Sequence, residues 1–144
     1  MLRVTRLTDY ATLILATLAR QPARVHAAAE LAEQARLELP TVAKVLKPLA
    51  RAGLVESFRG ASGGYRLARP AAQIALIDVV EAIEGKLGMT ECSGDHSNCE
   101  LESHCGVAGQ WRYVNDIIAS ALRSVSLAEM MQQPKRIPLQ LAGA

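Results

Sequence analysis

Leu39-Pro40-Thr41-Val42-Ala43-Lys44-Val45-Leu46-Lys47-Pro48-Leu49-Ala50-Arg51-Ala52-Gly53-Leu54-Val55-Glu56-Ser57-Phe58-Arg59-Gly60-Ala61-Ser62-Gly63-Gly64-Tyr65-Arg66-Leu67-Ala68 decides the fold. Pro40 suits a first helical turn, where its missing N–H would have no partner anyway. Val42, Val45, Leu46 and Leu49 recur at helical spacing, and Gly53 is a good stop. Residues 54–57 and 65–68 then read as two strands, joined by a glycine-rich turn over 59–64. A hairpin placed directly after a basic helix is a wing. Pro48 stands against the pattern, because proline inside a helix costs about 3 kcal/mol. It predicts a kink near Lys44 or a poorly formed last turn.

Upstream, Leu7, Ala11, Ile14, Leu15 and Leu18 lie on one face of an amphipathic helix over 8–19, with Thr8 as its cap and Asp9 in its first turn. A second helix covers 27–35, with Ala28, Leu31, Ala32 and Ala35 facing inward. Two short helices, a break at Leu37-Glu38-Leu39 and a basic third helix form a helix-turn-helix. Arg3 and Arg6 before the apolar run resemble a signal peptide. The helical periodicity and the polar Asp9, Thr12 and Thr17 argue against one. No stretch reaches the roughly 18 apolar residues of a membrane span. The expectation is a cytoplasmic protein with no membrane partner.

Downstream of Pro70, Ile77, Val80 and Ile83 predict a short helix ending at Gly85. Cys92, Cys99 and Cys105 follow, the only cysteines in 144 residues. An odd number cannot all pair within one chain. Clustered soft thiolates suit an iron–sulfur cluster, zinc or Cu(I), and these spacings are wider than zinc-knuckle pairs use. Thiols also stay reduced in the cytoplasm. From Val107 a long helix runs to about residue 125, with Trp111, Val114, Ile118, Ala121 and Val125 at 3-4 spacing and Ile117 and Leu122 alongside. That stripe predicts a subunit-pairing helix; packing back on its own domain is the other reading. Pro134, Pro138 and Gly143 mark a mobile tail.

The composition agrees. Half the residues are hydrophobic but only 3% aromatic, so the core is Ala, Leu, Ile and Val, which favours helices. The net charge of +2 conceals +6 over residues 1–70 and −4 over 89–106. A basic N-terminal half can face phosphates. No nucleophile–base pair and no phosphate loop is visible, which speaks against an enzyme or a small-molecule substrate.

The fold expected is mainly α: a winged helix-turn-helix with a two-stranded β wing and a long C-terminal dimerisation helix. Its divisions are a DNA-binding domain at 1–85, a cysteine loop at 86–106, a dimerisation helix at 107–130 and a mobile tail at 131–144. With the third helix in a major groove, Lys44 can donate to guanine O6/N7, Thr41 can touch a base or a phosphate, and Lys47 lies nearer the backbone. Arg59 can enter a minor groove, Gly60 permits close approach to a phosphate, and Arg66 adds charge at the wing base.

Residues 46–55, residues 59–68, Ile83-Glu84-Gly85 and the three cysteines together resemble the IscR/NsrR-type family of winged-helix iron–sulfur transcriptional regulators, most closely the regulators of SUF-system cluster assembly. The resemblance spans about residues 1–130. It implies a homodimer on a double-stranded DNA operator, repression of assembly genes, and a cluster on Cys92, Cys99 and Cys105. The cluster is usually 2Fe–2S and in some branches 4Fe–4S. IscR-type members add a His three residues after the third Cys, where this chain has Ala108. The nitric-oxide-sensing branch uses a carboxylate at the start of the first helix, which here is Asp9. His96 and His104 are the other candidates for a fourth ligand, while His26 reads as structural. The rival readings are a zinc-binding or thiol-redox winged-helix regulator without a cluster, and a nitric-oxide-sensing cluster repressor.

Overall fold

The computed structural model describes residues 3–93, 99–100 and 102–133. Three helices come first: α1 (Arg6–Ala19), α2 (Ala28–Ala35) and α3 (Leu39–Arg51). The wing follows as β1 (Val55–Phe58) and β2 (Gly64–Leu67), and then α4 (Leu76–Glu84), α5 (Ala108–Arg123) and the short α6 (Leu127–Met130). The mainly α, winged architecture is the one expected. Both strands and the starts of α1 and α3 shift by one or two residues from the sequence reading. His96 and residues 134–144 lie outside the described residues.

The apolar spacing explains the core. Ala11, Ile14, Leu15 and Leu18 of α1 meet Leu31 of α2 and Val42, Val45, Leu46 and Leu49 of α3, all buried. Leu54, Val55 and Leu67 at the wing base close the same cluster. Full burial of each such side chain stabilises the fold by about 1.5–3 kcal/mol.

Helix ends are set by local chemistry. The cap of α1 is Thr5, not Thr8: Thr5 is extended and its hydroxyl accepts from the Thr8 N–H at 3.4 Å. Thr8 is buried and donates its own hydroxyl to Glu84 at the end of α4. At the end of α3, Gly53 has φ +70°, and the Leu54 N–H reaches back to the Leu49 carbonyl at 3.0 Å. That is a Schellman stop, closed by the Leu49–Leu54 apolar contact. The α2 end uses the same motif without a glycine. The Leu37 N–H bonds to the Ala32 carbonyl at 2.9 Å, and Arg36 takes the left-handed position at φ 54°. Pro48 neither breaks α3 nor frays its last turn. The helix is continuous to Arg51, and the Ala52 N–H bonds to the Pro48 carbonyl at 3.0 Å.

β1 and β2 pair antiparallel, with Glu56 opposite Arg66 and Phe58 opposite Gly64. The buried His26 pairs its backbone with Tyr65 through two 2.8 Å bonds, fastening the wing to the α1–α2 connection. Gly64 is required there, since a Cβ would lie 2.2 Å from the His26 carbonyl oxygen. His26 sits 3.4 Å from the Glu30 carboxylate through Nδ1, yet the alignment makes no hydrogen bond. We take this as a contact rather than a bonded pair, because hydrogen bonds weaken steeply when misaligned.

α5 ends at Arg123, earlier than its apolar stripe suggests. Ser126 then caps α6, accepting from the Glu129 N–H at 3.2 Å while the Glu129 carboxylate takes the Ser126 N–H at 2.9 Å. This reciprocal box restarts the helix in a new direction. Leu127 is thereby carried into the core of the N-terminal helices. The Leu76 N–H to Val125 carbonyl and Leu127 N–H to Ile74 carbonyl bonds, both 2.8 Å, tie the return to the start of α4.

Candidate nucleic-acid interface and cysteine segment

Burial of Val42, Val45, Leu46 and Leu49 turns the opposite face of α3 outward. Lys44, Lys47 and Arg51 stand exposed on it at i, i+3 and i+7, with Thr41 half-buried at its N-terminal end. Arg51 escaped the sequence reading, although its helical spacing from Lys44 and Lys47 was available. Arg59 and Gly60 are exposed at the wing turn, where Gly60 has φ +97°. Among the described residues Lys44, Lys47, Arg51 and Arg59 join no ion pair.

Arg66 differs. Its Nη2 lies 2.8 Å from the Glu56 carboxylate, and its guanidinium sits 5.0 Å from the centre of the Phe58 ring. All three belong to the outer surface of the hairpin, whose inner surface carries Val55, Tyr65 and Leu67.

The cysteine segment is suspended from α5. Asn115, 8% exposed, accepts the Met89 N–H at 3.1 Å through Oδ1, and Arg112 donates from Nε to the Cys92 carbonyl at 3.1 Å. Between them Ser93 closes a tight turn, its hydroxyl 2.8 Å from the Thr90 N–H. Cys92 is buried, with its sulfur 3.2 Å from the Thr90 hydroxyl, while Cys99 and Cys105 are half-buried. All three are thiols rather than disulfides. Arg112, Asn115 and Thr90 were missed in the sequence, because a polar residue on an amphipathic helix reads as solvated until its partner is known.

Asp9 is exposed in the first turn of α1. The neighbouring Thr8 and Thr5 hold the Glu84 carboxylate: the Thr8 hydroxyl and the Thr5 N–H, the latter at 2.9 Å, both donate to it. The Thr8 bond, followed by the Thr5 backbone bond, lowers the Glu84 carboxyl below its usual 4.5. His104 is exposed, with Nδ1 2.8 Å from the Ser103 hydroxyl, and Ala108 is buried at the start of α5.

Three thiols, one of them buried beside a hydroxyl, are a donor set that suits an iron–sulfur cluster, whose sulfurs accept hydrogen bonds from the protein. Among the described residues no group of three His, Cys, Asp or Glu side chains stands ready around a metal position. Among the described residues, Asp9 and the three cysteines form no such group.

The comparisons with known proteins bear on this arrangement. Residues 4–133 match the Rrf2 family, described as "Iron-dependent Transcriptional regulator". Protein aau3 of Rhizobium meliloti is 32% identical over 137 residues, covering 94% of this chain and 89% of that protein. The HTH-type transcriptional regulator IscR of Vibrio atlanticus is 33% identical over 104 residues, covering 72% of this chain and 60% of IscR. The solved structure of T. potens IscR superposes with a TM-score of 0.66 at 28% identity, covering 90% of this chain and 86% of that one. No helix among the described residues is long and apolar enough to cross a membrane. The chain belongs to the Rrf2 family and is a winged-helix, DNA-binding transcriptional regulator rather than an enzyme.

Proposed function

We propose that this regulator is controlled by an iron–sulfur cluster and represses SUF-type cluster-assembly genes as a cytoplasmic homodimer. The observation that carries the reading is the set of three thiols at Cys92, Cys99 and Cys105 on a segment bonded to α5. These thiols are the cluster ligands, with 2Fe–2S favoured over 4Fe–4S. Asp9 is the proposed fourth ligand. As an oxygen donor, Asp9 would leave a bound cluster more open to oxidants or nitric oxide than a fourth thiolate would.

The protein's own part is mechanical and electrostatic. A shift of Cys92 pulls on Arg112 of α5. α5 packs on α4, α4 packs on α1 and α3, and Glu84 binds the end of α4 to the start of α1. The thiols are thus joined to the reading helix through packed elements rather than a loose linker. At the DNA, Thr41 and Lys44 meet base edges and Lys47 a phosphate. Arg59 and Gly60 meet the backbone and minor groove, while Arg66 stands at the wing base paired with Glu56.

The dimer reading is supported by α5. Trp111, Tyr113, Val114 and Ile117 remain 37–68% exposed, whereas Ile118 and Leu122 turn toward α4 and line an apolar groove with Val4, Val80 and Leu87. The apolar arc is too wide for one neighbour, and a second copy of the chain covers the rest.

The visible spectrum, with iron and acid-labile sulfide counts on protein purified without oxygen, tests the proposal. Equal iron and sulfide near two or four per chain, with absorption above about 400 nm, are expected for a cluster. A colourless protein carrying zinc, or thiols alone, after attempted reconstitution would replace it with a zinc-binding or thiol-redox regulator. Bleaching by nitric oxide alone among the physiological oxidants would move it to the nitric-oxide-sensing branch.

A further inference from the structure

An acid on a DNA-facing hairpin calls for an explanation. Glu56 lies directly across the sheet from Arg66 and binds it at 2.8 Å, and Phe58, diagonal to Arg66 on the same surface, holds the guanidinium 5.0 Å from its ring centre. Phe58 is the only phenylalanine in the chain and is 39% exposed, so it serves no core. The Gly64 opposite it carries no side chain to compete for the ring. A planar guanidinium clamped between a carboxylate and an aromatic face is oriented along the hairpin and has its charge cancelled. Arg59, one residue beyond Phe58, has no such partner among the described residues.

We propose that Glu56 is a specificity-determining residue of the wing. By holding Arg66 over Phe58 it keeps one of the two wing cations from phosphates. The wing then offers a single unpaired charge, Arg59, to the DNA backbone. Phosphate attraction is independent of sequence and supplies nearly all non-specific affinity. Limiting it lets base contacts from α3 weigh more in the choice of site. The pair is half-exposed, with the Arg66 and Glu56 side chains 37% and 47% accessible. Such surface pairs are weak, so removing the acid releases the arginine without unfolding the hairpin.

The inference rests on the wing meeting DNA, and the test separates the two. The probes are a duplex selected from a randomised pool by the unaltered full-length protein, and an unrelated duplex of equal length. Affinities are measured over a potassium chloride series for the unaltered protein and for R59A, E56Q, R66A and E56Q/R66A. E56Q is expected to bind the unrelated duplex about two- to fivefold more tightly per wing. Its dependence of log Kd on log salt should steepen by about 0.9 per wing, one extra phosphate each. The ratio of selected to unrelated affinity should fall. R66A alone should change little, and E56Q/R66A should behave like R66A. An E56Q protein with unaltered slope would overturn the proposal. A gain that persists in E56Q/R66A would do so too, since Glu56 would then act by its own repulsion of phosphate. If R59A also leaves affinity and slope unchanged, the wing does not meet DNA and the underlying reading fails first.

Discussion

The α1–α4 core and α5 draw on the same aliphatic residues, yet they use them in opposite ways. In the core, one apolar face per helix finds a neighbour within the chain. Ile14, Leu15, Val45, Leu46 and Leu49 end at 0% exposure. α5 has apolar residues around far more of its circumference. Among the described residues, only the side bearing Ala108, Asn115, Ile118 and Leu122 is covered, and Trp111, Tyr113, Val114 and Ile117 are left outside. The core is held by burial. The cysteine segment beside α5 is held by individual hydrogen bonds from Asn115, Arg112 and Ser93. A DNA-reading unit gains from a rigid frame. A responsive segment gains from attachments few enough to rearrange.

Substitutions can break this contrast, and the largest effect belongs to the core. Leu46→Ala should destabilise the fold by about 2–5 kcal/mol in urea denaturation, because a fully buried side chain leaves a cavity. Ile117→Asp, on the outer face of α5, should leave the stability of the single chain within about 0.5 kcal/mol. It should shift the sedimenting species from dimer to monomer. Equal losses of fold stability from the two substitutions would mean that α5 is an ordinary core helix.

Asn115→Ala comes next. It strands the Met89 N–H in a part-buried place, at a cost of about 1–3 kcal/mol. The loss should appear as faster amide exchange at Met89 and faster alkylation of Cys92, with the α1–α3 amides unaffected. Uniformly faster exchange would show that the segment and the core open together.

A smaller effect lies within the α1–α4 core, at Glu84. Its folded carboxyl titrates below 4.5 because Thr8 and Thr5 bond the ionised form. The stabilisation is therefore fully present above about pH 4.5 and is lost as the pH falls through the lower folded value. Thr8→Val should cost about 1 kcal/mol at neutral pH after allowance for the exposure of Glu84. The difference from the unaltered protein should close in stronger acid. A pH-independent difference would assign the loss to the cap or to packing rather than to the carboxylate.

The smallest effect is a gain. Arg36 occupies the left-handed position that Gly53 fills at the end of α3. Arg36→Gly should raise stability by about 0.5–1 kcal/mol, since glycine avoids the steric penalty of that conformation while giving back some chain entropy. A loss on thermal melting would mean that the Arg36 side chain makes up for the strain.

The legible parts of the molecule were those encoded within a few residues. The inward faces of α1, α2 and α3, the Gly53 stop, the hairpin and α4 ending before Gly85 all follow from periodicity and turn chemistry. The thiol set was legible from composition alone, and so was the basic face of α3 apart from Arg51. The family resemblance added the expectation of a cluster, and the Rrf2 match places the chain among DNA-binding regulators.

Other features depend on residues far apart in sequence. Thr8 looked like a cap because nothing local announces Glu84, 76 positions away. Arg66 read as charge at the wing base, and only the strand register showed that Glu56 lies opposite it. The α5 stripe looked continuous until Ser126 turned the chain and Leu127 returned to the core. By itself the sequence determined which faces are apolar and which side chains can bond. Only the tertiary structure decided which face meets which neighbour, because many pairings satisfy the same local pattern and the choice among them is made by burial shared across the whole chain.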